Sequence, residues 1–459
     1  MSETGDGRVI RSSTAALAAL LLASAAGPAL AQGSPSAAAA RSVVNGPLVD
    51  HHQHLLSPTA AQRLAPPAFE AVQLPPELAA VLSERARVWN DPAALERLYT
   101  EDAMLRQERN PSWMRGRKAV ADNVAALFAR AHRITPLSFG ATGDAAHIEG
   151  FMSRDLEDGG VRHFGFVHLS LRRGADGAWR ITAESLGFPG PSAEPPIDAE
   201  QLIRHIDAAG IRRAVVLSLA YWYGSPLDAP VPGEIQAVRA ENDWTIQQAA
   251  RYPDRLVAFC SFNPLKDYAV TELERCAARG VRGVKLHFGN SGVDLKKPEH
   301  VEAVRTVFRA ANRRRLAIVA HLWTLDKDYG RKEAEVFLSE LLPAAPDVVV
   351  QIAHFAGGGP GYTDEALAVY ADAVAAGDPR TRNLYFDIAT VATDQSDEVL
   401  ARFAERIRQI GVERILYGSD AAFGGRNTPR KEWGAFRGMT PLTDSEFAAI
   451  ADNVAPYLR

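Results

Sequence analysis

The chain has 459 residues, of which 47% are hydrophobic and 23% are charged, and its formal net charge is −4. This composition is typical of a globular protein with ample material for a core. A nucleic-acid partner would show as a basic excess or stripe, so the charge argues against one.

The N-terminus, residues 1–31, predicts a cleavable signal peptide. Two arginines precede an Ala-rich apolar run that ends in an Ala-Leu-Ala motif, which is typical of a cleavage site after Ala31. We therefore expect a periplasmic or secreted protein with no membrane segment after cleavage, and residues 32–45 as a flexible lead-in. An uncleaved anchor is the alternative, but the run is marginal in length for a membrane span.

The stretch "LVDHHQHLL" predicts a first β-strand with three histidines. Side chains alternate along a strand, so Asp50, His52 and His54 are expected to share one face, with His51 and Gln53 on the other. We expect His51 to point outward, toward the helices. Two imidazoles on one face suit a divalent ion such as zinc; two hydrogen-bonded core histidines are the alternative.

Residues 61–193 differ in pattern from the rest and predict an inserted α+β domain. Helical stretches, among them "PAALERLYT", come first, and alternating strands follow. Two of these strands flank residues 174–177, a hairpin signal. The pieces "WNDPAALERLYTEDAML", "GRKAVADNVAALF" and "VHLSLRRGADGAWRITAESLG" resemble the SnoaL-like branch of the ketosteroid isomerase/nuclear transport factor superfamily.

That resemblance implies a cone-shaped fold around an apolar pocket. A lid or a dimerisation module is the expected role, and a pocket that captures part of a larger substrate is the alternative. The insert would follow the first strand and therefore open on the catalytic face of the barrel. Its polar candidates are not distinguishable from structural residues in the sequence: Tyr99, Asp102, His132 and His163.

Residues 46–60 and 194–459 predict a (β/α)₈ barrel, so the fold class is α/β with an α+β insert. From about Ile197 onward, amphipathic helices alternate with seven short apolar strands, a pattern typical of parallel strands buried on both faces. The histidine-rich strand makes eight. An open doubly wound sheet is the alternative, but the Gly-rich turn that it would favour does not follow the first strand.

The two cysteines, Cys260 and Cys276, lie in an apolar strand and in a helix of this region. An exported protein can pair such residues. We expect two buried free thiols instead.

Ionisable side chains stand at the ends of five predicted strands. Strand ends of a barrel meet at one mouth, where barrel active sites lie, so these groups together predict one metal site. Each alone has an ordinary interpretation as a side chain that hydrogen-bonds a loop. The residues, in chain order, are His52, His54, Lys285, His287, His321, His354 and Asp420.

This set resembles the metal-dependent amidohydrolase superfamily, in the amidohydrolase 2 branch that includes aminocarboxymuconate semialdehyde decarboxylase and related lactonases. The matching pieces are the D-x-H-x-H of the first strand, His321, the "AH" with glycines at His354, and the "YGSD" that ends at Asp420.

The resemblance implies one divalent ion held by His52, His54, His321 and Asp420. Zinc is the expected metal and manganese the alternative. Asp420 would take a proton from the metal-activated water, and His354 would serve as general acid or base.

Further residues are candidates for substrate contacts. Lys285 and His287 are expected to contact a substrate anion; for His287, packing in the strand-end loop is nearly as good an interpretation. A binuclear site bridged by a carboxylated Lys285 is less favoured. Tyr223 and Trp323 would form an aromatic wall, and Arg426 is a candidate to pair a substrate carboxylate.

The function expected from these residues is a metal-dependent hydrolase that acts on an amide, ester or lactone of a small organic substrate. A non-oxidative decarboxylase of an aromatic or unsaturated acid is the alternative. Export weakly disfavours it, because most catabolism of aromatic acids is intracellular. A non-catalytic binding protein that uses the pocket of the insert is the third interpretation, and a homodimer is left open.

Overall fold

The computed structural model describes most of the chain from Gly46 to Arg459. The segments outside the described residues are 1–45, 65–69, 108–109, 128–131, 156–160, 188–195, 229, 323–328, 393–394 and 421–427. The predicted signal peptide and lead-in therefore lie outside them. No helix in the described part of the chain is long and apolar enough to cross a membrane.

The chain divides into two compact units. One contains Leu64–Ala193, and the other contains the described residues before Leu64 together with most of the chain from Glu194 to Arg459. We call them the insert unit and the barrel unit. The barrel unit begins with strand β1 (Val49–Gln53) and helix α1 (Pro58–Leu64).

The insert unit is built on one mixed sheet. Its elements are α2 (Pro76–Arg87), α3 (Pro92–Glu96), β2 (Tyr99–Gln107), β3 (Asn110–Arg115), α4 (Arg117–Leu127), β4 (Arg133–Thr142), β5 (Ala145–Asp155), β6 (Val161–Arg173) and β7 (Trp179–Gly187). The strand order is β3-β2-β7-β6-β5-β4, and β2 pairs with β7 in parallel. The predicted α+β class is confirmed, and β6 and β7 form the predicted hairpin. The predicted helix over "PAALERLYT" is too long, because α3 ends at Glu96 and β2 begins at Tyr99.

A polar cluster, which we call the arginine cluster, is buried in the insert unit. Arg85 pairs with Glu184, and its Nη1 lies 2.6 Å from Nε2 of His132. The hydroxyl of Tyr99 donates to the second oxygen of Glu184 at 2.6 Å. All four side chains are at most 3% exposed. Tyr99 and His132, two of the polar candidates from the sequence, thus belong to one hydrogen-bonded network.

Of the other two polar candidates of the insert, the structure describes the side chain of Asp102 alone. Asp102 is exposed and pairs with Arg172. The side chain of His163 lies outside the described residues.

The rest of the chain alternates helix and strand. The elements are α5 (Ala199–Ala208), β8 (Arg213–Leu217), α6 (Glu234–Ala250), β9 (Leu256–Ser261), α7 (Ala269–Ala278), β10 (Gly283–His287), α8 (Phe288–Ser291), α9 (Pro298–Arg314), β11 (Ala317–His321), α10 (Arg331–Val336), β12 (Val350–Ile352), α11 (His354–Gly358), α12 (Pro360–Ala375), β13 (Leu384–Asp387), α13 (Asp397–Ile410), β14 (Ile415–Leu416), α14 (Pro429–Met439) and α15 (Asp444–Asp452). Short 3₁₀ turns lie at Ala220–Trp222, Leu342–Ala344, Pro379–Thr381, Val412–Arg414 and Pro456–Leu458, and a π turn lies at Phe337–Leu341.

The eight strands of this unit form the predicted parallel barrel. Their order is β1-β8-β9-β10-β11-β12-β13-β14. Two backbone hydrogen bonds of 2.8 Å bring the chain after β14 back to β1: the N–H of His51 donates to Tyr417, and that of Asp420 donates to His52. The predicted fold class is confirmed.

The barrel unit has a buried apolar cluster in its interior. Side chains such as Val49, Leu217, Phe259 and Val319 form it, joined by Leu458 near the C-terminus. The ionisable groups singled out in the sequence stand at the ends of the strands, where barrel active sites lie.

The two cysteines are paired, so the expectation of free thiols is wrong. A disulfide joins Cys260 of β9 to Cys276 of α7, with the Cα atoms 6.4 Å apart. Both residues are buried. The strand places Cys260 on its helix-facing side, and α7 packs its apolar face there, so the two sulfur atoms meet.

Candidate metal site

A β-bulge breaks the alternation expected for the first strand. The register of β1 against β8 shifts between Asp50 and Gln53, and such a bulge re-aims the side chains that follow it. Asp50 accepts a 2.9 Å hydrogen bond from Gln53 and others from the backbone and side chain of Ser419. The prediction that Asp50 faces the same way as His52 and His54, with Gln53 opposite, is therefore wrong.

The prediction that His51 faces the helices is wrong. Its side chain faces the C-terminal end of the chain. Its Nε2 accepts a hydrogen bond from the backbone of Ala455, which leaves Nδ1 to donate to the carbonyl of Tyr417 at 3.0 Å. Its ring packs edge-on against Tyr457, which borders the apolar interior cluster. His51 thus anchors the C-terminus.

His52 is oriented by a carboxylate that ends strand β13. Nδ1 of His52 lies 3.0 Å from Oδ2 of Asp387. Asp387 also accepts hydrogen bonds from the side chain of Gln351 and the backbone of His354. Burial alone would raise the pKa of Asp387, but its interactions with His52, His354 and Lys285 outweigh burial and lower that pKa below its usual value. The ionised carboxylate fixes the proton of His52 on Nδ1 and leaves Nε2 as a ligand atom.

Backbone carbonyls orient two further histidines in the same way. Nδ1 of His54 donates to Leu217 at 2.6 Å, and Nδ1 of His354 donates to Ala389 at 2.9 Å. Burial lowers the pKa of His54, and it lowers that of His354 to about 3. Both rings are therefore neutral, with the Nε2 lone pair available to a metal.

The Nε2 atoms of these two histidines face Asp420. Oδ1 of Asp420 lies 3.5 Å from Nε2 of His54, and Oδ2 lies 4.0 Å from Nε2 of His354. Asp420 and His354 both adopt positive φ, of 50° and 51°. For residues other than glycine such backbone is strained, and strain of this kind is often concentrated at functional sites.

The donor set fits a divalent metal ion. Ligand atoms of His52, His354 and Asp420 lie within 4.8 Å of one another. In addition, Oδ1 of Asp420 and Nε2 of His321 are buried without a hydrogen-bond partner in the described part of the chain. Buried polar atoms normally have partners, and an ion bound among them would supply one. Imidazole nitrogens with one carboxylate are typical zinc ligands.

His321 and His287 lie side by side at the ends of neighbouring strands. Their rings stack with centroids 4.0 Å apart, and the ring of His321 is 4.6 Å from that of His354. Nδ1 of His287 accepts the backbone N–H of Asn290, so the proton of His287 sits on Nε2. Tyr221 covers the other side of His287, with centroids 4.9 Å apart.

Lys285 lies inside the histidine cluster. Its Nζ is 3.1 Å from Nε2 of His52, and the side chain is 1% exposed. Burial lowers the pKa of Lys285 to about 8, against the opposing charges of Asp387 and Asp420. It forms no ion pair with a carboxylate among the described residues.

The remaining predicted substrate residues lie apart from the cluster or outside the described residues. The hydroxyl of Tyr223 is 3.5 Å from Glu241, and the guanidinium of Arg63 covers its ring. Trp323 and Arg426 fall outside the described residues.

Sequence reasoning missed one residue of the site. Asp387 ends strand β13 by the same rule that singled out His321 and Asp420, so the final residue of "LYFD" was the available signal. Tyr221 and Tyr223 both belong to the aromatic segment that the sequence places at the mouth of the barrel, and Tyr221 is the one that contacts His287.

Comparisons with known proteins divide along the same two units. The amidohydrolase family profile matches residues 231–453. A comparison with curated proteins found no match.

Among solved structures, the chain is similar to 5-carboxyvanillate decarboxylase from Sphingomonas paucimobilis, at 18% identity and a TM-score of 0.38, over 54% of this chain and 79% of that one. It is also similar to 2,6-dihydroxybenzoate decarboxylase from Rhizobium, at 18% identity and a TM-score of 0.36, over 55% of this chain and 84% of that one. A nuclear transport factor 2-like protein from Salmonella enterica is 17% identical, with a TM-score of 0.21, over 25% of this chain and 89% of that one.

Proposed function

Because residues 231–453 belong to the amidohydrolase family, we propose that the barrel unit is a metal-dependent decarboxylase that removes a carboxylate from an aromatic or unsaturated acid. The family makes it an enzyme of the amidohydrolase superfamily. The reaction is our proposal, and it replaces hydrolysis, the function first expected from the sequence, as the leading interpretation.

The observation that carries the proposal is Lys285. A buried ammonium group without an anionic partner is costly, so a site that keeps one is suited to an anion from outside the protein. The 3.1 Å between Nζ of Lys285 and Nε2 of His52 puts this charge next to the candidate metal ligands. A substrate carboxylate at this position would complete an ion pair. This feature belongs to the site itself, so it outweighs the weak argument from export.

The residues that would hold the metal are His52, His54, His321 and Asp420. Ligand atoms of His52 and Asp420 lie within 4.8 Å of each other and of His354, and Nε2 of His54 lies 3.5 Å from Asp420. Nε2 of His321 has no hydrogen-bond partner among the described residues. When bound, a divalent ion supplies a Lewis acid that draws electron density from a coordinated substrate oxygen. Asp387 and the carbonyls of Leu217 and Ala389 keep the histidine rings in the orientation that this needs.

Decarboxylation needs one proton and no oxidant. The bond between the carboxylate and its carbon breaks, carbon dioxide leaves, and the electron pair stays on that carbon, which takes up a proton. Nε2 of His354 and Oδ2 of Asp420 lie 4.0 Å apart, and either atom can carry this proton and deliver it to the carbon. Both side chains are only 10% exposed, which keeps bulk water away from the carbon that is protonated.

Hydrolysis is the second candidate, and a different feature favours it. Oδ1 of Asp420 is buried without a hydrogen-bond partner in the described part of the chain, so it can accept a proton from an attacking water. This geometry suits an ester, lactone or amide substrate as well. It gives no role to Lys285, which forms no ion pair with a carboxylate among the described residues.

A substrate panel with one variant separates the two candidates. The metal-loaded full chain is assayed for carbon dioxide release from carboxylated aromatic and unsaturated acids, and for hydrolysis of esters, lactones and amides. For decarboxylation we expect Lys285→Met to raise KM by about 10- to 100-fold, the range for loss of a buried charge contact. The matched control Lys332→Met, at an exposed helix position, should leave KM unchanged. Hydrolysis without carbon dioxide release would overturn the proposal.

The disulfide supports a second part of the proposal, that the protein is exported. Disulfides persist in the periplasm and outside the cell and are rare in the cytosol, and Cys260 and Cys276 are paired. Cell fractionation with mass spectrometry of the mature N-terminus tests this. We expect a periplasmic or secreted chain that begins at Gln32 and carries two oxidised cysteines. A cytosolic full-length chain would contradict it.

A further inference from the structure

The short helix α8 leaves an unsatisfied polar pair beside the site. Asn290 and Ser291 are each 1% exposed. Both polar atoms of the Asn290 amide, and the hydroxyl of Ser291, are buried without a hydrogen-bond partner in the described part of the chain. We call these two side chains the α8 pair.

Such atoms call for an explanation, because a buried polar atom without a partner destabilises the folded state. Other buried polar groups nearby do have hydrogen-bond partners. Asn263 donates to the carbonyls of Gly224 and Ser291 and accepts from the backbone of Leu265. The backbone of α8 is thus held in place while the α8 pair stays open.

The α8 pair is joined to the metal site through His287. The backbone N–H of Asn290 donates to Nδ1 of His287 at 3.2 Å. This bond leaves the proton of His287 on Nε2, and the ring stacks on His321. His287 therefore connects the backbone of α8 to the histidines of the candidate metal site, and the buried α8 pair lies next in the chain to that contact.

We propose that the α8 pair is a binding subsite for a hydroxyl group of the substrate. This inference rests on the proposed function, in which the substrate carboxylate lies at Lys285. The amide of Asn290 offers one donor and one acceptor, and the hydroxyl of Ser291 offers either. A hydroxyl group donates and accepts at once, so it fills both atoms of the amide. A carboxylate or a methoxy group only accepts and would leave the amide oxygen unpaired.

The substitution Asn290→Leu tests the proposal through stability, without any ligand. Leucine is close in size and removes both unpartnered atoms, so we expect the Tm of the full chain to rise by about 2–4 °C. The matched control is Asn242→Leu. Asn242 is also buried, but all its amide groups are bonded, to Ser261 and Glu272. That control should lower the Tm.

A fall in Tm for Asn290→Leu comparable to that of the control would overturn the proposal, because it would mean that the amide has a structural partner, such as a bound water. Ser291→Ala provides a second variant. It should leave the Tm unchanged or raise it, and a clear fall would count against the subsite in the same way.

Binding measurements test the chemistry of the subsite. Titration calorimetry on the metal-loaded full chain compares 2-, 3- and 4-hydroxybenzoate with benzoate and the methoxybenzoates. We expect one hydroxybenzoate to bind at least about tenfold more tightly than benzoate, and Asn290→Leu to abolish that difference while benzoate binding is kept. An unchanged preference in Asn290→Leu would overturn the subsite and leave the decarboxylase proposal standing. If no benzoate binds but Asn290→Leu still raises the Tm, the proposed carboxylate site at Lys285 is contradicted. The raised Tm would then still support unpartnered atoms in the α8 pair.

Discussion

The two units of this protein each bury a polar cluster, and the clusters are completed in different ways. In the arginine cluster of the insert unit, the charge of Arg85 is paired with Glu184, whose other oxygen is bonded to Tyr99. In the barrel unit, Lys285 has no carboxylate partner, and buried atoms of His321 and Asp420 lack hydrogen bonds among the described residues.

This difference distinguishes a buried network that stabilises the fold from one that is arranged to bind a ligand. A network whose charges cancel internally needs no charged ligand from outside, even though Nε of Arg85 lacks a hydrogen bond among the described residues, and it stabilises one fold once formed. A network that holds Nδ1 of His54 and of His354 with backbone carbonyls, and leaves their Nε2 atoms toward Asp420, is ordered for a ligand. By this criterion the barrel unit carries the chemistry. The arginine cluster supports the expected structural role for the insert, as a lid or dimerisation module, which stays a prediction.

The substitution with the largest expected effect on activity is at His354, and it tests whether the barrel unit carries the chemistry. Loss of its proton-transfer role in His354→Ala should lower kcat by about 10²- to 10⁴-fold. Metal analysis of the same variant shows whether His354 is also a ligand, since its Nε2 lies among the candidate ligand atoms. The control His205→Ala, on the outer helix α5, should keep full activity. Turnover near the wild-type value in His354→Ala would remove this residue from the mechanism.

The next effect concerns the stability of the insert unit. Arg85→Leu leaves Glu184 buried without its cation, which should lower the free energy of unfolding of this unit by about 3–5 kcal/mol. The double variant Arg85→Leu/Glu184→Leu should recover much of that loss, because it removes both charges. Urea denaturation followed by circular dichroism measures both. If the single variant costs less than about 1 kcal/mol, the arginine cluster is not a closed structural network.

The smallest effect is expected at Glu241, an open carboxylate of the barrel unit. It accepts from Ser57 and Tyr223, whose ring lies under Arg63, while its other oxygen has no hydrogen bond among the described residues. Burial raises the pKa of Glu241 from 4.5 to about 7. The folded state then binds more protons than the unfolded state between these values, so stability falls as the pH rises through this range.

The substitution Glu241→Gln should remove this dependence. At pH 8 we expect the variant to be more stable than the wild type by about 1–3 kcal/mol, and near pH 4 the two should be similar. Thermal unfolding across this pH range measures the difference. A variant that is less stable at pH 8 would indicate that the ionised carboxylate has a partner.

Much of the fold could be predicted from the sequence because it depends on local patterns. Apolar strands that alternate with amphipathic helices gave the eight-stranded barrel, and the change in pattern after the first strand gave the insert. The family match over residues 231–453 confirms the resemblance inferred from the strand-end residues.

What could not be predicted depends on contacts between distant residues. The bulge in β1 follows from its pairing with β8, so the strict alternation that put Asp50 on the face of His52 failed. The disulfide needed the packing of α7 on β9. Asp387 could have been noted as a strand-end residue, but its role in orienting His52, 335 positions away, follows from their contact in the fold.

The central claim, that the barrel holds a divalent metal at its histidine cluster, is tested most directly by the metal content of the purified full chain. The claim predicts about one zinc or manganese ion per chain, and loss of that ion from His52→Ala and Asp420→Asn, both of which remain folded. A chain that carries no divalent metal, and that takes up none when zinc or manganese is added, would contradict it.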